Sequence, residues 1–234
     1  MVIPTFNEEK GLERFLSQFK RQTLPRNEFE IIVVDGNSTD RTRQIAEKYA
    51  DVVMIQKSKG VGGARNDGIE TAKTEIVATT DADVIVAPFW LEKIYHHFEK
   101  DKELVLLFGS NYPITKDPII RFFAGLKRMI NQIFATFHIT YLAEGPNTAF
   151  KKKDFLEAGG YSDLPIMDDT EITSRMRHLG KIIYDNSIFV YASVRRIKKK
   201  GTSKTGFVLI TSYFKLVLLG KKGVQVKDYA KQEY

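Results

Sequence analysis

EIIVVDGNSTD, residues 30–40, reads as a strand that runs straight into a turn. Residues 30–35 are a short, unbroken, β-branched run, the pattern of a strand buried on both faces of a parallel sheet. Three later runs read the same way: VVMIQ at 52–56, EIVATTD at 75–81 and ELVLLFG at 103–109. MVIP at the very start is a shortened version. Between them, Leu12, Phe15, Leu16 and Phe19 fall at helical spacing, as do Leu91, Ile94, Tyr95 and Phe98. Strand and helix alternating at these distances predict right-handed βαβ units and a mainly parallel α/β sheet flanked by helices. Ligands of such sheets bind at the C-terminal ends of the strands, so the residues that follow each strand carry the functional reading.

Composition sets the outer limits. The chain has 234 residues, 43% hydrophobic and 28% charged, with no cysteine. This excludes a disordered chain, a disulfide framework and thiolate chemistry. No run reaches the roughly 18 apolar residues that span a bilayer. MVIPTFNEE shows neither a basic leader nor a small-residue cleavage site, so no secretory signal is expected. One domain is expected over 1–234, with a nucleotide-binding half at 1–110, an acceptor and catalytic half at 111–204 and a basic, apolar segment at 205–234. Residues 119–142 are apolar and aromatic, broken by Arg121, Lys127, Arg128 and His138, and predict one or two amphipathic helices. KIIYD and IFVYASV predict two later strands. The net charge of +7 is uneven. Residues 195–234 hold eleven Lys/Arg against two Asp/Glu, leaving 25 against 27 before them. Beside the apolar run at 207–219, that basic end reads as a phosphate-binding or membrane-surface feature rather than a nucleic-acid site; its plain alternative is a solvated lysine-rich surface.

Four strand ends carry candidate chemistry. Pro4 stops the first ladder, and Thr5 or Asn7 is placed to cap the next helix, with Glu8 in its first turn. Asp35, followed by a glycine turn, is placed to accept hydrogen bonds from a nucleoside base or ribose; alternatively the turn is structural, with Ser38 or Asp40 as a cap. Lys59 to Asn66 is glycine-rich and basic but lacks the ending of a phosphate loop, leaving Arg65 to reach a phosphate. Asp81 and Asp83 sit one residue apart after an apolar strand, where two carboxylates would repel unless they share a divalent cation. Further on, Asp168, Asp169 and Glu171 stand at a predicted helix start. There the macrodipole favours them, and one of them is placed to act as a general base. Arg195, Arg196 and the lysines at 198–200 offer cations to a diphosphate. His96, His97, His138 and His178 lack the spacing of metal ligands.

In this order, VIPTFNEE, IIVVDGNSTDRT, GGARNDGI, TTDADV, GPNTAFKK, GGYSD and DDTEI resemble family 2 of the inverting glycosyltransferases, small single-domain members with the GT-A fold. The resemblance covers nearly the whole chain. It implies that Pro4, Thr5, Asn7 and Glu8 line the nucleotide pocket and that Asp35 binds base or ribose. It implies Arg65 and Asn66 beside the nucleotide or its phosphates, Asp81 on the nucleotide sugar, and Asp83 as ligand of Mg²⁺ or Mn²⁺. Asn147 and Thr148 would border donor sugar and acceptor, Asp169 would be the catalytic base, and Arg195 and Arg196 would close over the diphosphate. The acidic motif, usually Glu-Asp, is Asp168-Asp169 here. The Gln-x-x-Arg-Trp motif of processive synthases is missing, which argues against a processive polymerase.

The implied reaction moves a sugar from a UDP- or GDP-sugar to the hydroxyl of a saccharide or lipid-linked acceptor, with inversion, in glycan, glycolipid or cell-envelope biosynthesis. A nucleotidyltransferase, or a nucleotide-binding module without transfer, is the alternative. The expected location is cytoplasmic, with possible peripheral attachment to the inner face of a membrane; nucleic acid is not an expected partner.

Overall fold

The computed structural model describes residues 1–137, 143–164 and 167–195. Arg196, His138, the lysines at 198–200 and the apolar run at 207–219 lie outside the described residues. Eight strands form one sheet: β1 (Val2–Thr5), β2 (Ile32–Asp35), β3 (Val52–Ile55), β4 (Ile76–Thr79), β5 (Val84–Val86), β6 (Leu104–Ile114), β7 (Thr148–Lys151) and β8 (Lys181–Ser193). Their spatial order is β3-β2-β1-β4-β7-β6-β8-β5. The first four are parallel, as their β-branched runs predict. Beyond β4 the sheet is mixed: β7 is antiparallel to both β4 and β6, and β5 is antiparallel to β8, whereas β6 and β8 are parallel. Parallel pairings therefore number four against three. β5 and β7, three and four residues long, are too short to show a period of their own.

Seven α-helices flank the sheet: α1 (Leu12–Ser17), α2 (Thr42–Ala46), α3 (Gly60–Thr71), α4 (Trp90–Lys100), α5 (Pro118–Thr136), α6 (Lys152–Glu157) and α7 (Asp168–Met176). Strand alternation divides the core into two layers. Ile3, Val33, Ala78 and Leu107 face Leu12, Phe15 and Leu16 of α1 and Trp90, Leu91, Ile94 and Phe98 of α4. Val2, Ile32, Val34 and Val77 face Ala64 and Ile69 of α3, Phe155 of α6, and Ile172 and Met176 of α7. Tyr95, grouped with the α4 stripe by spacing, is exposed. The glycine-rich stretch at 60–66 is the start of a helix, not an open loop.

Residues 181–193 form one strand where the sequence predicts two. The register with β6 jumps from Gly109–Asp185 to Ser110–Phe189, so residues 186–188 bulge out of the ladder. Asp185 Oδ1 accepts the Ser187 N–H at 2.8 Å, and the displaced Ile188 carbonyl accepts from Asn147 Nδ2 at 3.1 Å. A Cβ on residue 109 would overlap that carbonyl, so glycine is what lets the strands close over the bulge. The apolar segment after β6 forms a single helix, α5, opened by Asp117, whose carboxylate accepts the N–H groups of Ile119 and Ile120 at 2.9 and 3.3 Å.

Candidate active site

A cleft opens at the C-terminal ends of β1 and β4, against the first turn of α3. Pro4, Phe6, Glu8, Val61, Asp81, Ala82 and Asp83 line it. The parallel half of the sheet thus puts the strand-end carboxylates where the topology predicts a ligand.

The loops after β1 and β2 hold each other. Asn7, in the left-handed region at φ 51°, takes the Thr39 N–H on Oδ1 at 2.9 Å. Ser38 Oγ accepts the Asn7 N–H at 2.9 Å, and Thr42 Oγ1 accepts the Glu8 N–H at 2.8 Å. The expected capping of α1 by Thr5 or Asn7 does not occur: α1 starts at Leu12 after Gly11, and no side chain caps it. The Asn7 amide instead joins the two loops, because its backbone turns away from the helix. The N-cap of α2 is Arg41, whose side chain makes no cap; Asp40, one residue earlier, accepts the N–H of Thr42, the first residue of the helix, at 2.9 Å. Thr5, 4% exposed, has an Oγ1 without a hydrogen-bond partner among the described residues.

Asp35 is fully buried. Its Oδ2 accepts the Ser38 N–H at 3.0 Å, its Oδ1 accepts Ser38 Oγ at 2.5 Å, and Arg43 Nη2 lies 3.5 Å away. It braces the turn and does not line the cleft. Asn66 is likewise occupied, its amide donating to Tyr161 O at 2.9 Å and accepting from Tyr161 N at 2.8 Å, so it ties α3 to the 159–163 loop. Asn147 is 1% exposed and takes Trp90 Nε1–H on Oδ1 at 2.8 Å, while Nδ2 reaches Ser110 O and Ile188 O, both at 3.1 Å. Its amide locks α4, β6 and β8 together. Thr148 is buried too, its Oγ1 donating to Glu144 O at 2.9 Å.

The charged residues do converge. Arg65 is buried beneath the cleft, and its Nη2 stands 2.6 Å from Asp81 Oδ1 while its guanidinium lies 5.7 Å from the centre of the Tyr161 ring. Burial opposes the Arg65 charge, but Asp81 and, more weakly, Asp168 and Asp169 outweigh that and raise its pKa. The repulsion expected between Asp81 and Asp83 is met by two arginines, one on each carboxylate. On the cleft's other rim Arg195 reaches back from the end of β8, 2.5 Å from Glu8 Oε1 and 3.7 Å from Asp83 Oδ2.

The acidic motif separates into three environments at the start of α7. Glu171 is bound twice by Arg175, at 2.8 and 2.6 Å, and accepts Ser162 Oγ at 2.7 Å, which makes it a structural anchor. Asp168 is 7% exposed, its Oδ2 has no hydrogen-bond partner among the described residues, and burial followed by the adjacent Asp169 charge pushes its pKa up to about 7. A Cβ on Gly62 would lie 2.7 Å from that oxygen, so glycine in the first turn of α3 makes room for it. Asp169 keeps solvent contact, its Oδ2 accepting the Gly145 N–H at 2.9 Å and its Oδ1 accepting the Thr170 N–H at 2.8 Å. Its pKa is also raised by burial, against opposing pulls from Lys127, the Gly145 N–H and Arg65. Of the three acids, Asp169 alone is a partly exposed residue whose carboxylate is free of an arginine clamp.

Sequence reasoning passed over Tyr161, Lys127 and Glu144. Lys127 pairs with Glu144, next to the Gly145 that holds Asp169. The visible signal was a lysine interrupting an apolar helix, but its target is 17 residues away and only the fold supplies it. A divalent cation fits the cleft chemically. Asp83 offers a hard oxygen ligand that is 22% exposed at the rim. Among the described residues no group of three or more His, Cys, Asp or Glu forms a cage. A cation at that rim would take Asp83 as ligand, with phosphate oxygens and water completing its shell.

The family model for glycosyl transferase family 2 matches residues 1–157. A curated relative is the poly(ribitol-phosphate) beta-N-acetylglucosaminyltransferase TarS of Staphylococcus aureus, 37% identical over 89 residues, which are 36% of this chain and 16% of TarS. The amylovoran biosynthesis glycosyltransferase AmsE of Erwinia amylovora is 26% identical over 200 residues, 77% of this chain and 70% of AmsE. Among solved structures, S. aureus TarS 1–349 in complex with UDP-GlcNAc superposes with a TM-score of 0.70 at 20% identity, covering 98% of this chain and 68% of that one. The fold is therefore of the GT-A type.

Proposed function

The chain belongs to glycosyl transferase family 2, and on that premise we propose that it is an inverting enzyme that moves a sugar from a nucleoside-diphosphate sugar to an acceptor hydroxyl. One observation supports this above the others: Arg65 stands between the strand-end carboxylate Asp81 and the acid pair Asp168-Asp169. A donor held at the strand ends is thereby brought to the acid pair of α7.

Each residue then has a task. Pro4, Phe6 and Glu8 form one wall for the nucleotide, and Asp81, oriented by Arg65, accepts hydrogen bonds from the donor. Binding of a nucleoside to Asp35 requires the Ser38 hydroxyl to yield its place. Asp83 is the residue that would hold Mg²⁺ or Mn²⁺, and a cation bound there offsets negative charge on the leaving diphosphate. Arg195, already against Glu8 and Asp83, supplies a second positive group on the same side. Asp169 takes the proton from the acceptor hydroxyl as that oxygen bonds to the anomeric carbon. The bond from that carbon to the β-phosphate oxygen breaks with its electron pair on the diphosphate, so one displacement inverts the configuration. The Gly145 N–H orients Asp169, and Lys127, that N–H and Arg65 oppose the burial that raises its pKa.

Support for the donor class comes from structural neighbours: the TarS fragment above was solved with UDP-GlcNAc, and a mannosyltransferase from Pyrobaculum calidifontis, with a TM-score of 0.64 and 24% identity over 82% of this chain and 56% of its own, was solved with GDP-Man and Mn²⁺. Thermal-shift titration with UDP-, GDP- and dTDP-sugars, with Mn²⁺ or with EDTA, tests the proposal. A donor at 100 times its Kd stabilises the folded state by about 2.7 kcal/mol. No shift with any of the donors, in either condition, overturns it.

A further inference from the structure

Helix α5 is amphipathic with its apolar side turned outward. At about 100° per residue, Ile119, Phe122, Phe123, Met129, Ile133 and Phe137 fall within an arc of about 120°. All six are exposed, Phe122 at 67% and Phe137 at 69%. The polar groups point the other way. Asn131 is 4% exposed against the protein, Lys127 pairs with Glu144, and the Arg128 guanidinium sits 4.3 Å from the centre of the Tyr112 ring. A surface helix normally buries its apolar stripe and exposes its charges. An exposed stripe of this size marks a contact surface.

Charge identifies the occupant. From residue 118 to residue 143 the sequence contains three cations, Arg121, Lys127 and Arg128, and no acid. The segment is continued by the same sign: Ser193 at the end of β8 pairs with Ile114, four residues before α5, and from Arg195 onward the chain carries eleven Lys/Arg against two Asp/Glu. Of the three cations on α5, Arg121 is exposed, whereas Lys127 and Arg128 are turned towards the protein. No described helix is long and apolar enough to cross a membrane. We propose that α5 is an interfacial helix that lies on an anionic lipid surface, with Phe122, Phe123, Ile133 and Phe137 inserted among the acyl chains. The stripe supplies apolar burial and the basic end supplies attraction to the headgroups, two signals that together suffice for reversible attachment. Lys127, through Glu144 and Gly145, links this helix to Asp169, so attachment would set the site beside the membrane where a lipid-linked acceptor is presented.

The test uses the full chain and vesicles of phosphatidylcholine with and without phosphatidylglycerol. Co-sedimentation is expected with the anionic vesicles, weakened by high salt. Phe122→Glu with Ile133→Glu should reduce it at least about tenfold, since two buried apolar side chains are lost. Both sites are exposed, so the thermal transition should be unchanged. A Phe122→Trp chain reads insertion directly through a blue shift of the new fluorescence over that of the buried Trp90. No binding to anionic vesicles overturns the proposal. So does undiminished binding by the double variant, or vesicle binding without a blue shift. A wild-type dimer that the double variant converts to monomer assigns the stripe to a second copy and also overturns it. None of these readouts needs donor binding or turnover, so the proposed transfer reaction can fail independently.

Discussion

Arg65 Nη2 stands 2.6 Å from Asp81 Oδ1, and this pair joins the end of β4 to α3 beneath the cleft. The guanidinium is buried and also faces the Tyr161 ring and the two acids of α7. Arg65→Met keeps the length of the side chain but leaves three carboxylates without their common counter-charge. Breaking a buried pair from one side costs about 3–5 kcal/mol, and because Asp81 keeps some solvent contact the expected loss lies near about 3 kcal/mol. Urea unfolding measures it. Arg65→Met with Asp81→Leu should cost less than the sum of the single changes; strict additivity would show that the pair is not coupled.

Asp169 is expected to be the base. Asp169→Asn cannot accept a proton, so kcat should fall by about 10²–10⁴-fold with donor affinity nearly unchanged. Its pKa is raised above the ordinary carboxylate value, chiefly by burial, and the base must be ionised to act. Turnover should therefore rise with pH through a limb above that ordinary value. Lys127 opposes the rise, so Lys127→Met should move the limb to higher pH. A limb that stays in place in that variant, or near-normal turnover in Asp169→Asn, assigns the step to another group.

Donor binding is expected to respond to a divalent cation through Asp83. Calorimetric titration of Asp83→Ala should show weaker donor binding that EDTA no longer changes, because one carboxylate is the cation's only expected protein ligand. Metal-insensitive binding of full strength in the variant would remove Asp83 from that role.

Much of this was legible in the sequence, for a physical reason. Buried parallel strands such as residues 32–35 must be continuous and β-branched, and their ends must carry the ligand chemistry, so Asp81 and Asp83 could be placed on the cleft from pattern alone, whereas pattern put Glu8 in the first turn of a helix that begins only at Leu12. What pattern does not carry is the direction of a side chain after a turn. The family resemblance implies Asn66 and Asn147 as binding residues, yet each amide is held by partners 37 to 95 residues away. Asp35 is drawn into its own turn by Ser38, three residues on, the structural alternative that the glycine turn already offered. The bulge in β8 and the outward stripe of α5 were hidden for the same reason. A period of 3.6 shows that a helix has an apolar face but not which way it points.

Asp168 is expected to lower stability at neutral and alkaline pH. The residue is 7% exposed, one carboxyl oxygen has no partner among the described residues, and its pKa is pushed up to about 7, first by burial and then by Asp169. In the unfolded chain the same group titrates near about 4. Between those values the folded state still holds a proton that the unfolded state has released. Stability therefore falls as pH rises through this window, and the full penalty is present above about 7. Asp168→Asn keeps the shape and removes the charge. Its melting temperature should exceed that of the wild type by several degrees at pH 8, at about 2–4 °C per kcal/mol for a chain of this size. The gain should shrink toward zero near pH 4, where the wild-type group is protonated when folded. Turnover should largely survive, since Asp169 is untouched. Melting curves of both proteins across this range decide the matter: an equal difference at pH 4 and pH 8, or a loss at pH 8, would show that the buried Asp168 charge is not what the fold must overcome.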